Sequence, residues 1–383
     1  MIPTPPLAYI KPNMSLVRKI KVMIVEDSAV IRGLLTRWLS AETDIEIVGT
    51  ANNGREGVER AGQCDPDIVL LDIEMPIMNG VDALPGILKA APRARVIMAS
   101  MLTQRGGEVT IKALAAGASD YLAKPDAHMA GAADYKRDLL LKVRVLGSRA
   151  MRGFTSARPD APIKTSMPLP RQPTIPAPQH TNLRRLSAKA RPEAIFIGAS
   201  TGGPEALKTL ITALAGQVNV PVFITQHMPP LFTKILAEHL SKQTGAKVIE
   251  AEHGSDAKAG IFYIAPGNRH MIVVAAPHGV RIELNDHEQE NFCRPAVDPL
   301  FRSAASVLGE RALAIILTGM GHDGREGAKS LAARGATIIA QDEETSVVWG
   351  MPGAIVRAGL ASAAKPLTDI APAILNALRG VAL

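Results

Sequence analysis

AIFIGASTGGP, residues 194–204, is an apolar run that breaks on glycines around a single serine and then opens a helical pattern. Ile195, Phe196 and Ile197 read as a buried strand, Gly198 and Gly202 permit a tight turn, and Pro204 suits the first turn of a helix. Ser200 is therefore expected at the carboxyl edge of a sheet. The helix behind it would aim unpaired N–H groups and a partial positive charge at the same spot, where an oxyanion could develop. The stretch fits Gly-x-Ser-x-Gly as Gly198-Ala199-Ser200-Thr201-Gly202. A phosphate-binding turn or a structural one would read the same way, so the partners of Ser200 decide between them.

Residues 193–383, which contain this stretch, alternate apolar runs with helical patterns. Candidate strands are AIFIGA, VPVFITQ, KVIEA, IFYIAP, HMIVVAA, VRIEL, LAIILTG and ATIIAQ, which predict a doubly wound, mostly parallel α/β domain. An activated serine needs a base and a group that orients the base. His227 directly follows VPVFITQ and precedes Met228-Pro229-Pro230, so it stands at a carboxyl strand end as Ser200 does. His128 and His180 fall outside this half, His239 lies in a helical pattern, and His278 and His287 sit in polar turns. By the same strand-end rule the orienting acid is Asp323, in the loop Gly319-Met320-Gly321-His322-Asp323-Gly324 after LAIILTG. His322 is the rival base, but a side chain next to the acid in sequence should point away from it. The chain order Ser, His, Asp differs from the Ser, Asp, His of α/β-hydrolases.

Residues 19–146 repeat the alternation with five strands: KVMIVE (21–26), EIVGTA (46–51), DIVLLD (67–72), RVIMAS (95–100) and DYLAK (120–124). The first ends in Glu26 and Asp27, the third in Asp72, the fourth in Ser100 and the fifth in Lys124. All five residues converge on one edge of a five-stranded parallel sheet of flavodoxin-like type. Carboxylates crowded there repel unless a cation neutralises them, and hard oxygen donors without His or Cys favour Mg2+.

The chain has 383 residues and a formal charge of +7, but the charge is not on either sheet-forming part. Residues 147–192 hold nine Lys or Arg against Asp160 alone, a net of +8, so the remainder carries about −1. The same segment has eight of the 28 prolines and reads as a basic, Pro-rich linker. With no basic folded face and no helix-turn-helix, nucleic acid is not an expected partner. Neither Gly-x-Gly-x-x-Gly nor Walker spacing supports a nucleotide-binding module. No apolar window reaches a membrane-spanning length, residues 1–18 read as a flexible extension, and Cys64 and Cys293 form no disulfide or zinc spacing. A monomer in the cytoplasm, without membrane insertion, is expected.

LLDIEMPIMNG around Asp72 and YLAKP around Lys124 resemble the receiver domain of two-component response regulators. The resemblance implies that Asp72 accepts a phosphoryl group from a histidine kinase. It further implies that Glu26, Asp27, Asp72 and Glu74 hold Mg2+, and that Ser100 and Lys124 sense the phosphate. Family members often carry Asp where Glu26 stands. GASTGGPEAL, QHMPP, APGNRHM, RPAVDPLF, LTGMGHDG and VVWGMPGAIV together resemble the catalytic domain of the chemotaxis protein-glutamate methylesterases. That resemblance implies attack by Ser200 on the γ-methyl ester of modified glutamates on methyl-accepting chemoreceptors, with His227 as base and Asp323 orienting it. The Met320 N–H and Thr201 would stabilise the oxyanion; methanol leaves, and water frees the acyl-enzyme. It also implies deamidation of receptor glutamines, with no cofactor for the esterase chemistry. Covering of the catalytic cleft by the receiver is expected from a phosphoacceptor tethered to a hydrolase.

Overall fold

The computed structural model describes residues 18–101, 103–124, 132–152, 183 and 190–381. Residues 1–17 of the predicted extension, nearly all of the predicted linker beyond Arg152, His128 and His180 lie outside them. In the N-terminal part the order is β1 (Ile20–Val25), α1 (Ala29–Ser40), β2 (Ile45–Ala51), α2 (Gly54–Cys64), β3 (Ile68–Asp72), α3 (Gly80–Ala90), β4 (Arg95–Ser100), α4 (Gln104–Ala115), β5 (Asp120–Ala123) and α5 (Ala132–Arg152). The five predicted strands form one parallel sheet in the order β2-β1-β3-β4-β5. Every residue of β3 is buried, as a central strand covered on both faces requires. Side-chain caps start the helices where polar residues precede apolar periodicity: Ser28, Asn53, Asn79 and Thr103 each accept a main-chain N–H of the first turn.

The C-terminal part runs β6 (Ala194–Ala199), α6 (Gly203–Leu214), β7 (Val222–Gln226), α7 (Phe232–Thr244), β8 (Lys247–Glu250), β9 (Ile261–Ile264), β10 (His270–Ala276), β11 (Gly279–Asn285), α8 (Val297–Val307), β12 (Ala312–Ile316), α9 (Arg325–Ala333), β13 (Thr337–Gln341), α10 (Met351–Arg357), β14 (Ala363–Lys365) and α11 (Leu367–Arg379). Its sheet has the order β14-β13-β12-β6-β7-β9-β8 with parallel pairings throughout. Two of the eight candidate strands, HMIVVAA and VRIEL, leave that sheet and form the antiparallel hairpin β10-β11. Their buried positions alternate with partly exposed ones, which suits a ribbon packed on one face rather than a doubly covered strand. The seventh sheet strand, β14, has three residues, too few to show a period in sequence. Among the described residues no helix is long and apolar enough to cross a membrane.

The two sheets are not independent bodies. One buried apolar cluster runs from Ile111 and Leu114 of α4 to Phe232 and Leu236 of α7. The rings of Tyr121 on β5 and Phe232 on α7 stack with centroids 5.4 Å apart. At Gly107 the helices approach so closely that a Cβ would lie 2.6 Å from Ile235 Cδ1 and 3.3 Å from the Phe232 ring. Burying a side chain the size of Phe232 is worth about 1.5–3 kcal/mol, so this contact contributes substantially to holding the halves together.

Candidate functional site

Three neighbouring strands of the larger sheet carry the candidate catalytic residues. Ser200 follows β6, His227 follows β7 beside it, and Asp323 lies in the loop after β12 on the other side. Gly202, at φ 75°, closes the serine turn, and a Cβ there would sit 2.6 Å from Val347. The turn is pinned by Ser200 N–H donating to Thr318 O at 3.0 Å and by Gln226 Nε2 donating to Ser200 O at 3.0 Å. A Cβ on Gly319 would approach Ser200 Cβ to 3.0 Å and would overlap Met351 Sδ, so the glycine lets the second loop reach the serine. α6 begins at Gly203 and directs its amino end at this turn.

His227 Nε2 is 2.7 Å from Asp323 Oδ2. Asp323 is buried and also accepts from the main-chain N–H groups of Val297 (2.6 Å), Asp298 (3.1 Å) and Gly324 (2.9 Å), and from Asn291 Nδ2 (3.1 Å). The carboxylate thus caps the amino end of α8, where anionic charge is favoured. Burial pushes Asp323 up, but its bonds to His227 and to these amides outweigh that and hold its pKa below the ordinary value. Asp298 lies beside it with its pKa raised, chiefly by burial and also by the Asp323 charge. For His227, burial acts downward, yet Cys293 and Asp323 outweigh it and raise the imidazole well above its ordinary value. Ser200 Oγ has no hydrogen-bond partner among the described residues, while His227 Nδ1 is 3.5 Å from Cys293 Sγ.

The main-chain N–H groups of Met320 and Thr201 have no acceptor among the described residues, so both are available to an oxyanion. The Thr201 hydroxyl is not: its Oγ1 donates to Asp120 Oδ2 of the smaller sheet at 2.6 Å, and the residue is 4% exposed. Lys142 Nζ of α5 stands 3.1 Å from the same Asp120 oxygen. His322 is exposed and takes no part in these contacts. Asn268 and Arg269 hold loops, through Arg294 and Asp286 respectively, and Trp349 donates its Nε1–H to Gln341 O at 3.0 Å.

On the smaller sheet, Glu26, Asp27 and Asp72 bring carboxylate oxygens within 4.8 Å of one another. Lys124 Nζ bridges two of them, at 2.9 Å from Glu26 Oε2 and 2.7 Å from Asp72 Oδ1. Burial raises Glu26, with the Asp72 charge adding and Lys124 opposing; burial likewise raises Asp72, against Lys124 and with Asp27 adding. Lys124 would be lowered by its burial but is raised by Asp72 and Glu26. The longer Glu26 side chain therefore does not leave the cluster. Glu74 lines the same cavity of about 190 Å³, outside the carboxylate group, and Ser100 Oγ lines it while donating to Gly106 O at 3.2 Å. A trio of hard oxygen donors with one exposed member, Asp27, fits a hard divalent cation such as Mg2+.

Cys293, Asn291, Asp298, Gln226 and Asp120 were not singled out by sequence. Asn291 and Cys293 reach the site from a turn more than sixty residues from His227, so strand-end reasoning could not find them. Asp120 does open a predicted strand, but at its amino end, where the rule does not look for chemistry.

The family described as CheB methylesterase matches residues 195–374, and the family described as response regulator receiver domain matches residues 22–131. Three curated relatives, each bearing the name protein-glutamate methylesterase/protein-glutamine glutaminase, are similar over almost their full lengths. That of Maricaulis maris is 47% identical, with 94% of this chain and 96% of the relative covered. The second of Caulobacter vibrioides is 48% identical, covering 94% and 100%, and the first of Paramagnetospirillum magneticum is 46% identical, covering 93% and 96%.

Proposed function

This chain belongs to the family of protein-glutamate methylesterase/protein-glutamine glutaminases that join a receiver domain to a methylesterase domain, and from that premise we propose how its residues perform and control the reaction. Ser200 attacks the γ-carbonyl of a glutamate methyl ester on a chemoreceptor, and His227 takes the hydroxyl proton. Asp323, fixed at the amino end of α8, keeps the imidazole oriented and stabilises its charged form. The N–H groups of Met320 and Thr201 receive the oxyanion. His227 returns the proton to the leaving methanol, then activates the water that cleaves the acyl-enzyme; with a glutamine the leaving group is ammonia. The observation that carries this reading is the 2.7 Å His227–Asp323 bond one strand away from Ser200. No cofactor enters these steps.

The test is release of methanol from methylated receptors, with and without a phosphodonor. Because the base must be neutral and its pKa lies above the ordinary histidine value, the acid limb of kcat/KM should lie above about pH 6.5. Activity is then lost as pH falls through that limb. Asp323→Asn should cut kcat by about 10^4-fold. A fall of less than tenfold would count against Asp323 as the orienting acid.

Regulation follows from residues 19–146 acting as a receiver, 193–383 as the catalytic domain and 147–192 as the tether. Asp72 accepts the phosphoryl group from a histidine kinase, with Ser100 and Lys124 as its sensors. Glu26, Asp27 and Asp72 would hold Mg2+, which would neutralise charge at the acyl phosphate; Glu74, outside the carboxylate group, would contribute at most from the cavity wall. Asp27→Asn should weaken Mg2+ binding at least about tenfold by calorimetry, since even outer-shell changes typically cost that much. Binding should also weaken as pH falls, because the raised pKa values of Asp72 and Glu26 bring protonation into competition with the metal. Unchanged affinity in Asp27→Asn would remove Asp27 from the ligand set.

The unphosphorylated receiver covers the site. Supporting this are the Asp120–Thr201 hydrogen bond and the packing of Tyr121 and Gly107 on Phe232 and Ile235. We read the chain as a cytoplasmic monomer acting on the cytoplasmic part of its receptors.

A further inference from the structure

The turn at Glu290–Arg294 brings a thiol to the catalytic base. Glu290 and Cys293 exchange main-chain hydrogen bonds at 3.1 and 2.9 Å, and between them Asn291 and Phe292 adopt φ values of 53° and 62°. Two successive side-chain-bearing residues in the left-handed region cost stability, and such strain persists where the surroundings enforce it. Here they do so at both ends. Asn291 Nδ2 is bound to Asp298 Oδ2 at 3.0 Å and Asp323 Oδ1 at 3.1 Å, and Arg302 pairs with Glu290. The result is Cys293 Sγ at 3.5 Å from His227 Nδ1.

The tautomer follows from the acid. Asp323 is an acceptor, so the His227 proton resides on Nε2 and the ring's basic lone pair is on Nδ1, the nitrogen that faces sulfur. That lone pair is the one available to deprotonate Ser200, whose Oγ is unpartnered among the described residues. The receiver touches the same turn: the Arg137 guanidinium of α5 lies 4.7 Å from the centre of the Phe292 ring, which is 76% exposed.

We propose that Cys293 is a positioning residue for the base: its sulfur holds the lone-pair nitrogen of His227 while the receiver is docked, and must surrender it to Ser200 before the nucleophile can be deprotonated. Arg137 on Phe292 steadies the turn that makes this hold. The inference rests on Ser200 and His227 being nucleophile and base. The ionisable groups that bear on the ring are Asp323 and Cys293 directly, with Asp298 and Arg302 acting on Asp323. Removing the sulfur frees Nδ1 for Ser200.

The experiment uses the full-length chain and a phosphonofluoridate ester, which phosphonylates an activated serine with loss of fluoride. The pH dependence of Ser200 labelling is compared in the parent, Cys293→Ala and Cys293→Ser. Cys293→Ala should label about three- to tenfold faster on the plateau above the acid limb, because the sulfur's hydrogen bond no longer competes for Nδ1. A serine hydroxyl can still donate to Nδ1, so Cys293→Ser should label within about twofold of the parent, which a merely structural role of the thiol does not predict. A plateau rate in Cys293→Ala equal to or below the parent's, or one in Cys293→Ser equal to that of Cys293→Ala, overturns the proposal. Absence of labelling at Ser200 in the parent would instead overturn the reading of Ser200 as nucleophile.

Discussion

Ser200→Ala lowers methanol release from methylated receptors by at least about 10^4-fold while the protein stays folded. The fold is insensitive because the serine turn is held by main-chain groups: Ser200 N–H to Thr318 O, Gly203 N–H to Ser200 O, and Gln226 Nε2 to Ser200 O. None of these uses Oγ, so the substitution removes a nucleophile and little else. The oxyanion donors, which are main-chain N–H groups, remain in place and set the residual rate. Retention of more than about a hundredth of the parent rate would mean that the ester is opened by something other than an acyl-serine route.

Gly107→Glu raises the unphosphorylated rate by about tenfold or more, toward the phosphorylated level. On α4 the position is buried against α7, with Ile235 Cδ1 and the Phe232 ring in the space a side chain would need. A carboxylate forced onto that apolar surface costs several kcal/mol in the docked arrangement and nothing once the domains part. A shift of 1.4 kcal/mol is already tenfold in the docking equilibrium. The receiver itself tolerates the change, since Glu favours a helix more than Gly does and Glu26, Asp27, Asp72 and Lys124 are untouched. Small-angle scattering should report the separation. Separated domains with an unchanged basal rate would refute covering as the means of control.

The sequence was informative wherever function obeys a strand rule. Parallel strands in a covered sheet are continuous apolar runs, and chemistry collects at their carboxyl ends, so Ser200, His227, Asp323 and the Glu26, Asp27, Asp72, Lys124 group were all legible as strand-end polar residues. The hairpin β10-β11 was legible as strands but not as a separate ribbon, because apolar content alone does not say which sheet a strand joins.

By itself the sequence determined the two sheets and the strand-end positions of Ser200, His227, Asp323 and Asp72, because each depends on local periodicity and on the order of strand and loop. Only the tertiary structure decided what those residues touch. It set Asp323 on the amino end of α8, gave the Thr201 hydroxyl to Asp120 of the other domain, and turned His227 Nδ1 toward Cys293 rather than Ser200. Those contacts join segments far apart in the chain, and no local pattern records which distant side chain packing will bring within hydrogen-bond reach.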